Sequence, residues 1–211
     1  MAPFYMLNNA RGLEQSLLDL VAEPAIVEYC VERITGFLYE YHSRLFEAGA
    51  GLIDLTQVTD DFGWEQGLLI SREAFHRYFG AAYRRLIGLA KSAGIRVFHH
   101  DDGAMAALLP DLVELGIDVL NPIQWRLPGM DPARLKAGFG DRISFHGGVD
   151  NQRVLPFGTP AEVEAEVVHC LSTLASDGTG FVLAPCHNIQ AITPVENVVR
   201  MYDAARVEGR R

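Results

Sequence analysis

The sequence lacks the features that mark membrane, secreted and nucleic-acid-binding proteins. No apolar run in its 211 residues approaches the roughly 18 residues of a membrane span, and no basic segment followed by an apolar one opens the chain. Three widely spaced cysteines are an odd count that does not suit a disulfide framework. Lysine and arginine number 18 against 27 acidic residues, and they are scattered along the chain. We therefore expect a cytoplasmic protein that binds neither a membrane nor nucleic acid.

Low complexity and a glycine-rich phosphate loop are absent as well. Neither G-x-G-x-x-G nor G-x-x-x-x-G-K-[ST] occurs, which argues against the common nucleotide-binding sheets. What is present is a chain with 49% hydrophobic residues and 21% charged residues, a composition typical of a globular protein with a substantial core. Nothing marks a linker, so we expect one domain over residues 1–211.

Short β-rich runs alternate with helical patterns along the whole chain. The predicted strands are residues 4–7, 52–56, 96–100, 119–123, 143–146 and 181–184. The predicted helices are residues 12–21, 24–48, 72–93, 104–115, 131–137, 160–176 and 194–207. Thr159 and Thr193 each precede a proline and a helical pattern, and we expect both to cap the helix that follows. The alternation predicts right-handed βαβ units and a parallel sheet.

Without a nucleotide motif, a (β/α)8 barrel is favoured over an open sheet. Barrel enzymes build their sites at the carboxyl ends of the strands, and polar residues gather there in this sequence. We expect the substrate-binding residues to be Gln57, Asp61, Asn121, Gln124, Trp125, His146 and Asp150. Asp60 and Asp61 form an adjacent pair that suits either an acid/base dyad or a helix cap. About six βα units are visible, so the predicted barrel is partial.

Two of the strand ends combine residue types that bind zinc. His100 and Asp102 follow the third predicted strand and have the same parity, so they can chelate together, whereas His99 points to the opposite face. Cys186 follows the last predicted strand. Zinc binds imidazole nitrogen, carboxylate oxygen and thiolate sulfur, and a catalytic site keeps one position open. A thiolate nucleophile activated by a histidine is the alternative role of Cys186.

Four further runs are residues 97–103 (VFHHDDG), 139–150 (FGDRISFHGGVD), 158–163 (GTPAEV) and 184–198 (APCHNIQAITPVENV). Together they resemble the uroporphyrinogen decarboxylase superfamily, in that family's order along nearly the whole chain. The resemblance implies a (β/α)8 barrel. It also implies one of two chemistries, because the superfamily contains decarboxylases that use no cofactor and zinc-dependent methyltransferases that work with corrinoid proteins.

Two positions favour the methyltransferase branch in this resemblance. Cys186 lies eight positions before Pro194, where those enzymes carry a zinc-binding cysteine and the decarboxylases a histidine. Their His-x-Cys-Gly motif is matched by residues 100–103, with Asp102 in place of the cysteine. The resemblance therefore implies zinc bound by His100, Asp102 and Cys186, with those three residues catalytic. The departure at Asp102 leaves the third ligand open, and the remaining candidates are Asp61, Glu65 and His187.

The resemblance implies a small methyl donor or a thiol acceptor as substrate, and a corrinoid carried by a partner protein. The chain resembles the later part of a longer family member. A barrel without its first units exposes strand edges and apolar helix faces, so we expect a homo-oligomer or a complementing chain. A metal-independent decarboxylase and a non-catalytic, partner-dependent fragment are the alternative functions.

Overall fold

The computed structural model describes residues 1–209. They form two compact units, residues 1–118 and residues 119–209. None of the helices in this described part is long and apolar enough to cross a membrane.

The first unit is mainly helical around a short parallel strand pair. Its helices are α1 (Pro3–Arg11), α2 (Leu13–Ala22), α3 (Pro24–Ala48), α4 (Arg72–Ala74), α5 (Gly80–Ser92) and α6 (Leu109–Leu115), and a π-helical turn (Phe75–Phe79) joins α4 to α5. Its strands are β1 (Leu55–Gln57), β2 (Gly63–Trp64), β3 (Gly67–Leu68) and β4 (Arg96–His100). β1 runs parallel to β4, with Leu55 opposite Arg96, and β2 pairs with β3 as a short antiparallel hairpin.

Aromatic side chains form the core of the first unit beside this strand pair. Phe62 stacks on Phe4 with ring centroids 5.0 Å apart, and it meets Phe75 edge-on at 5.2 Å. Tyr83 closes the cluster at 5.4 Å from Phe75. All four side chains are almost completely buried. Such edge-to-face and offset contacts add to the free energy of burying the rings, so the segment that precedes the β2–β3 hairpin is held firmly in the core.

The prediction of a strand at residues 4–7 is wrong, because these residues lie in helix α1. The helix has no side-chain cap from its own N-cap residue. Instead the Asp60 carboxylate accepts hydrogen bonds from the backbone N–H groups of Phe4 (3.1 Å) and Tyr5 (2.7 Å). A carboxylate at this end satisfies donors that the helix leaves unpaired and interacts favourably with its dipole. Asp60 is therefore a helix cap, for a helix more than fifty residues earlier in the chain.

The second unit consists of three parallel strands and four helices. They are β5 (Val119–Asn121), α7 (Pro132–Phe139), β6 (Ser144–Val149), α8 (Val154–Phe157), α9 (Pro160–Leu174), β7 (Phe181–Pro185) and α10 (Val195–Glu208). β6 lies between β5 and β7. The apolar core of this unit comprises Val149, Leu155, Val163, Val167, Met201 and Ala204.

The caps of the second unit show where local patterns predict structure and where they do not. Thr159 caps α9 as predicted, and it forms a reciprocal capping box with Glu162. Thr193 does not cap α10, because extended Pro194 is itself the N-cap residue and the helix begins one residue later. β6 also continues three residues past its predicted end at His146, since Gly147 and Gly148 pair with Leu183 and Ala184 of β7.

Five of the six predicted strands are therefore present, all in parallel pairs. The helix predicted at residues 72–93 is interrupted by the π-helical turn. The helix predicted at residues 104–115 begins only at Leu109, after a turn. The predicted α/β class is confirmed.

Asp60 predicts a pH dependence of stability. Burial raises the pKa of this carboxyl to about 7, against the lowering effect of its hydrogen bonds to Tyr5, Phe4 and Tyr83. A raised pKa means that the contribution of Asp60 to stability is fully present below its unfolded pKa near 4 and is lost as the pH rises through about 7. We expect this loss to reach about 4 kcal/mol at most.

Urea unfolding between pH 4 and pH 8 measures this effect. Asp60→Asn is expected to flatten the fall in unfolding free energy over this range, whereas Asp141→Asn, which changes an exposed carboxylate, is expected to leave it unchanged. An Asp60 carboxyl titrating near the unfolded value in ¹³C NMR spectra of the folded protein contradicts the prediction.

Candidate functional site

In the first unit, the carboxyl end of β4 places His100 between two carboxylates. The Nε2 atom of His100 lies 3.8 Å from Oδ1 of Asp61 and 3.8 Å from Oδ2 of Asp102. About a quarter of the His100 side chain is exposed, and both carboxylates are more exposed still. The three side chains thus present one nitrogen and two oxygen donors to the solvent side of this strand end, a donor set that suits a divalent cation.

Hydrogen bonds between two loops fix this arrangement. The backbone N–H of Asp102 donates to Oδ1 of Asp61 at 3.2 Å. Below them, Oδ1 of Asp101 accepts from the N–H groups of Phe62 and Gly63 at 3.0 and 2.9 Å. The loop after β1 is therefore tied to the loop after β4 by three hydrogen bonds, and the two carboxylates are positioned before any ligand binds.

The two loops also touch through a pair of glycines. A Cβ atom on Gly63 would lie 2.2 Å from the carbonyl oxygen of Asp102, and one on Gly103 would lie 2.5 Å from the backbone nitrogen of Trp64. Gly103 has a φ of +97°, which disfavours other residues. The N–H of Ala104 donates to the carbonyl oxygen of Trp64 at 2.7 Å. Only glycine at both positions permits this backbone contact.

His99 points to the other side of β4 and is completely buried. Its Nδ1–H donates to the carbonyl oxygen of Val58 at 2.7 Å, which leaves Nε2 facing Oδ2 of Asp101 at 3.5 Å. Burial raises the pKa of the Asp101 carboxyl, and the nearby His99 ring opposes the rise. His99 and Asp101 therefore support the loop from inside, while His100 and Asp102 face outward.

In the second unit, the predicted residues of β5 and β6 contact each other. The Nδ2 amide of Asn121 donates to Nδ1 of His146 at 2.9 Å and to its carbonyl oxygen at 3.3 Å. Burial lowers the pKa of His146. A neutral imidazole that accepts through Nδ1 carries its proton on Nε2. Because β6 continues to Val149, His146 lies within the strand and not at its end, where the sequence places it.

Cys186 and three of the predicted substrate-binding residues line one cavity of about 90 Å³ in this unit. Those three are Gln124, Trp125 and Asp150. Cys186 is buried, its backbone N–H donates to the carbonyl oxygen of Val149 at 2.8 Å, and its thiol donates to the carbonyl oxygen of Ile123 at 3.4 Å. The Trp125 indole N–H donates to the carbonyl oxygen of Gly148 at 3.0 Å. These contacts fix the thiol and the indole at the cavity wall.

Arg126 also lines this cavity and is absent from the predicted set. Its guanidinium binds the Glu166 carboxylate with two hydrogen bonds of 3.0 and 2.6 Å, and it lies 3.2 Å from Oδ2 of Asp150. It also stacks over the Trp125 ring at 3.9 Å. The signal available in the sequence is an arginine directly after Trp125 at a predicted strand end. Its partner Glu166 lies forty residues later on α9 and gives no local signal.

The remaining predicted residues lie on or after β1, β2 and β7. Gln57 ends β1 and is exposed, Glu65 lies in the turn of the β2–β3 hairpin, and His187 is exposed after β7. The structure thus brings together His100, Asp61 and Asp102 in one unit. In the other it brings together Gln124, Trp125, Asp150 and Cys186.

Comparison with known proteins establishes the family. The Uroporphyrinogen decarboxylase (URO-D) family model matches residues 1–207. The chain therefore belongs to the uroporphyrinogen decarboxylase family, and the resemblance carried by the four sequence runs is confirmed.

Individual relatives are distant and longer. The chain is 24% identical to a uroporphyrinogen decarboxylase of Anaeromyxobacter dehalogenans (strain 2CP-C) over 209 residues, which are 99% of this chain and 56% of that protein. It is also 24% identical to one from Pelodictyon phaeoclathratiforme (strain DSM 5477 / BU-1), covering 89% of this chain and 50% of that protein. The chain thus spans about half the length of the curated relatives it matches.

A solved structure described as a methyltransferase from Methanosarcina mazei has the same fold. It superposes with a TM-score of 0.75 at 21% sequence identity, over 98% of this chain and 56% of that one. This likeness establishes a partial TIM-barrel-like α/β fold.

The glycine contact at the β4 end predicts a large effect of a single methyl group. Gly63→Ala is expected to lower the unfolding free energy by about 2–3 kcal/mol, because the new Cβ overlaps the backbone of Asp102 and the loops must separate. Gly67→Ala in the same hairpin meets no atom within 4 Å and is expected to change it by less than about 0.5 kcal/mol. Urea unfolding of the two variants makes the comparison. Equal stability of both contradicts the close contact between these loops.

Proposed function

We propose that this chain is a zinc-dependent methyltransferase of the uroporphyrinogen decarboxylase family, with His100, Asp102 and Cys186 as zinc ligands. The observation that carries the proposal is the position of the His100 imidazole, with Nε2 3.8 Å from each of two half-exposed carboxylates at a strand end. Two carboxylates held this close to a histidine attract a cation, because each negative charge lowers the energy of a positive one nearby.

The donors of the first unit fit zinc in type and spacing. Ligands about 2.0–2.1 Å from a tetrahedral ion lie about 3.3 Å from one another. The ligand atoms of His100 and Asp102 lie 3.8 Å apart, so a rotation of either side chain brings them to that separation. Asp61 is equally close to His100 and is the alternative carboxylate ligand.

Cys186 as the third ligand rests on its sequence position, eight residues before Pro194. Burial of the thiol supports a ligand that is protected from oxidation, and a free thiol suits a reducing cytoplasm. Thiolate binding by zinc also releases the thiol proton, which a buried cysteine does not lose readily by itself. His187 remains the alternative ligand in the second unit.

Zinc held in this way supplies a Lewis acid that lowers the pKa of a bound thiol or polarises a bound heteroatom. The residues of the chain provide the rest of the proposed reaction. Asp61, whose Oδ1 accepts from Asp102, retains Oδ2 to accept the proton that a thiol acceptor loses. Gln124, Trp125 and Asp150 bind the substrate in the cavity beside Cys186. The methyl group moves between a small substrate or thiol and a corrinoid on a partner protein.

Metal content tests this proposal directly. Protein purified with zinc present is expected to hold about one zinc per chain, and His100→Ala and Cys186→Ala are expected to lose most of it. The matched controls are His76→Ala, which removes another histidine beside a carboxylate, and Cys30→Ala, which removes a half-buried cysteine. Elemental analysis gives the stoichiometry.

Cobalt substitution then reports the sulfur ligand through a sulfur-to-cobalt charge-transfer band, which Cys186→Ala is expected to abolish.

A metal-independent decarboxylase is the second candidate, favoured by the similarity of the chain to proteins named uroporphyrinogen decarboxylase. It requires turnover of a carboxylated tetrapyrrole that neither a chelator nor Cys186→Ser reduces. That result, together with zinc-replete protein that binds no metal, overturns the methyltransferase proposal. Retention of zinc by both His100→Ala and Cys186→Ala overturns the ligand assignment alone.

Helix α3 carries an exposed apolar stripe, which supports association with another chain. Tyr29, Phe37, Tyr41 and Leu45 are each at least two-fifths exposed, and the last three follow one another at a four-residue spacing, which places them on one helix face. We expect a second copy or a complementing chain to cover this face. Light scattering is expected to give a mass above that of one chain, and Phe37→Glu is expected to reduce it. A monomeric wild-type chain that is folded alone contradicts this expectation.

A further inference from the structure

A second and larger cavity lies in the second unit, on the outer side of the Trp125 and Arg126 segment. Its volume is about 490 Å³, within the usual range of about 300–1,000 Å³ for small-molecule sites. Its lining comprises Trp125 and Arg126, residues 153–154, 157–158, 162 and 165–166, and His169. None of the zinc ligands proposed above is among these residues.

Three aromatic side chains form the apolar wall of this outer cavity. The Trp125 and His169 rings lie with centroids 4.8 Å apart, and Arg126 stacks on Trp125. Phe157 also lines the cavity, although 70% of this side chain is exposed. A large exposed aromatic beside a stacked tryptophan is a surface on which a planar ring binds well, because stacking removes both apolar faces from water.

The charges of the outer cavity leave one cation uncompensated. Arg126 is neutralised by Glu166 and Asp150. Glu162 binds the backbone N–H and the hydroxyl of Thr159 in the capping box. Among the described residues no acidic side chain pairs with the guanidinium of Arg153, which lines the same cavity. The outer cavity therefore offers one guanidinium without an ion-pair partner beside an aromatic wall, with the Glu162 carboxylate in the same lining.

We propose that this outer cavity is a binding site for an aromatic monocarboxylate. The planar guanidinium of Arg153 matches a carboxylate in geometry and charge, and Phe157 and Trp125 bind the ring. A dianion such as phosphate is disfavoured because one unpaired guanidinium offsets a single negative charge and the Glu162 carboxylate lines the same cavity. Trp125, Arg126 and Arg153 line both this cavity and the inner one beside Cys186, so a ligand here contacts residues of the proposed substrate site.

Calorimetric titration of the full chain with three probes tests the site. Benzoate carries both the ring and the charge, acetate the charge alone and benzyl alcohol the ring alone. Saturable binding of benzoate is expected, with acetate and benzyl alcohol each weaker by about tenfold or more. Arg153→Gln and Phe157→Ala are each expected to weaken benzoate binding by about tenfold, the effect of losing one charge-assisted contact or one stacking surface.

Two control variants locate the site. Gln124→Ala alters the inner cavity alone, and Arg142→Gln removes another arginine beside a phenylalanine, Phe139, in the same unit. Both are expected to leave benzoate affinity unchanged. Absence of saturable benzoate binding overturns the proposal, as does affinity that falls in Gln124→Ala but not in Phe157→Ala. Since Phe157 is largely exposed, Phe157→Ala is expected to fold, and its thermal unfolding midpoint verifies this. The result is independent of zinc content, which tests the proposed function separately.

Discussion

The candidate metal site depends on one buried carboxylate, that of Asp101. Its Oδ1 accepts two backbone N–H groups from the loop after β1, and its Oδ2 faces the buried ring of His99. A buried carboxylate is costly unless its oxygens are paired, and the two N–H groups on Oδ1 offset part of that cost only in this loop geometry. Asp61 and Asp102 are positioned as a result, although neither takes part in the buried pair.

Local sequence patterns predict the elements of this chain wherever local contacts determine them. Helix α3 has the predicted bounds and β4 begins and ends where the alternation places it. The failures have non-local causes. Residues 4–7 are aromatic and β-prone, yet they are helical because Asp60 caps them from another segment. The sequence patterns did not identify Arg126 as a site residue, because its partners Glu166 and Asp150 are distant along the chain. By contrast, the alternation of side chains along β4 correctly predicts that His99 and His100 point to opposite faces of the strand.

The proposed ligand set differs in softness from a thiolate-rich one. With Asp102 in place of a second cysteine, an ion held by the proposed ligands would receive one sulfur, one nitrogen and one oxygen donor. Carboxylate oxygen donates less electron density than thiolate, so the ion would keep more of its charge and would be a stronger Lewis acid towards a bound heteroatom. Such a site is better suited to activating a poor leaving group on the substrate than to deprotonating a thiol.

Electrostatics separates the two reactions that the family contains. A carboxylated tetrapyrrole is strongly anionic and needs cationic groups around the reacting carboxylate. The β4 end offers the opposite, since Asp61 and Asp102 lie within 4 Å of His100 and repel an anion that approaches this histidine. The same two charges attract a cation, and a bound dication would reverse the local field. A neutral or thiol substrate would then meet a positive centre, so the charges at this strand end support the proposed metal-assisted methyl transfer over decarboxylation.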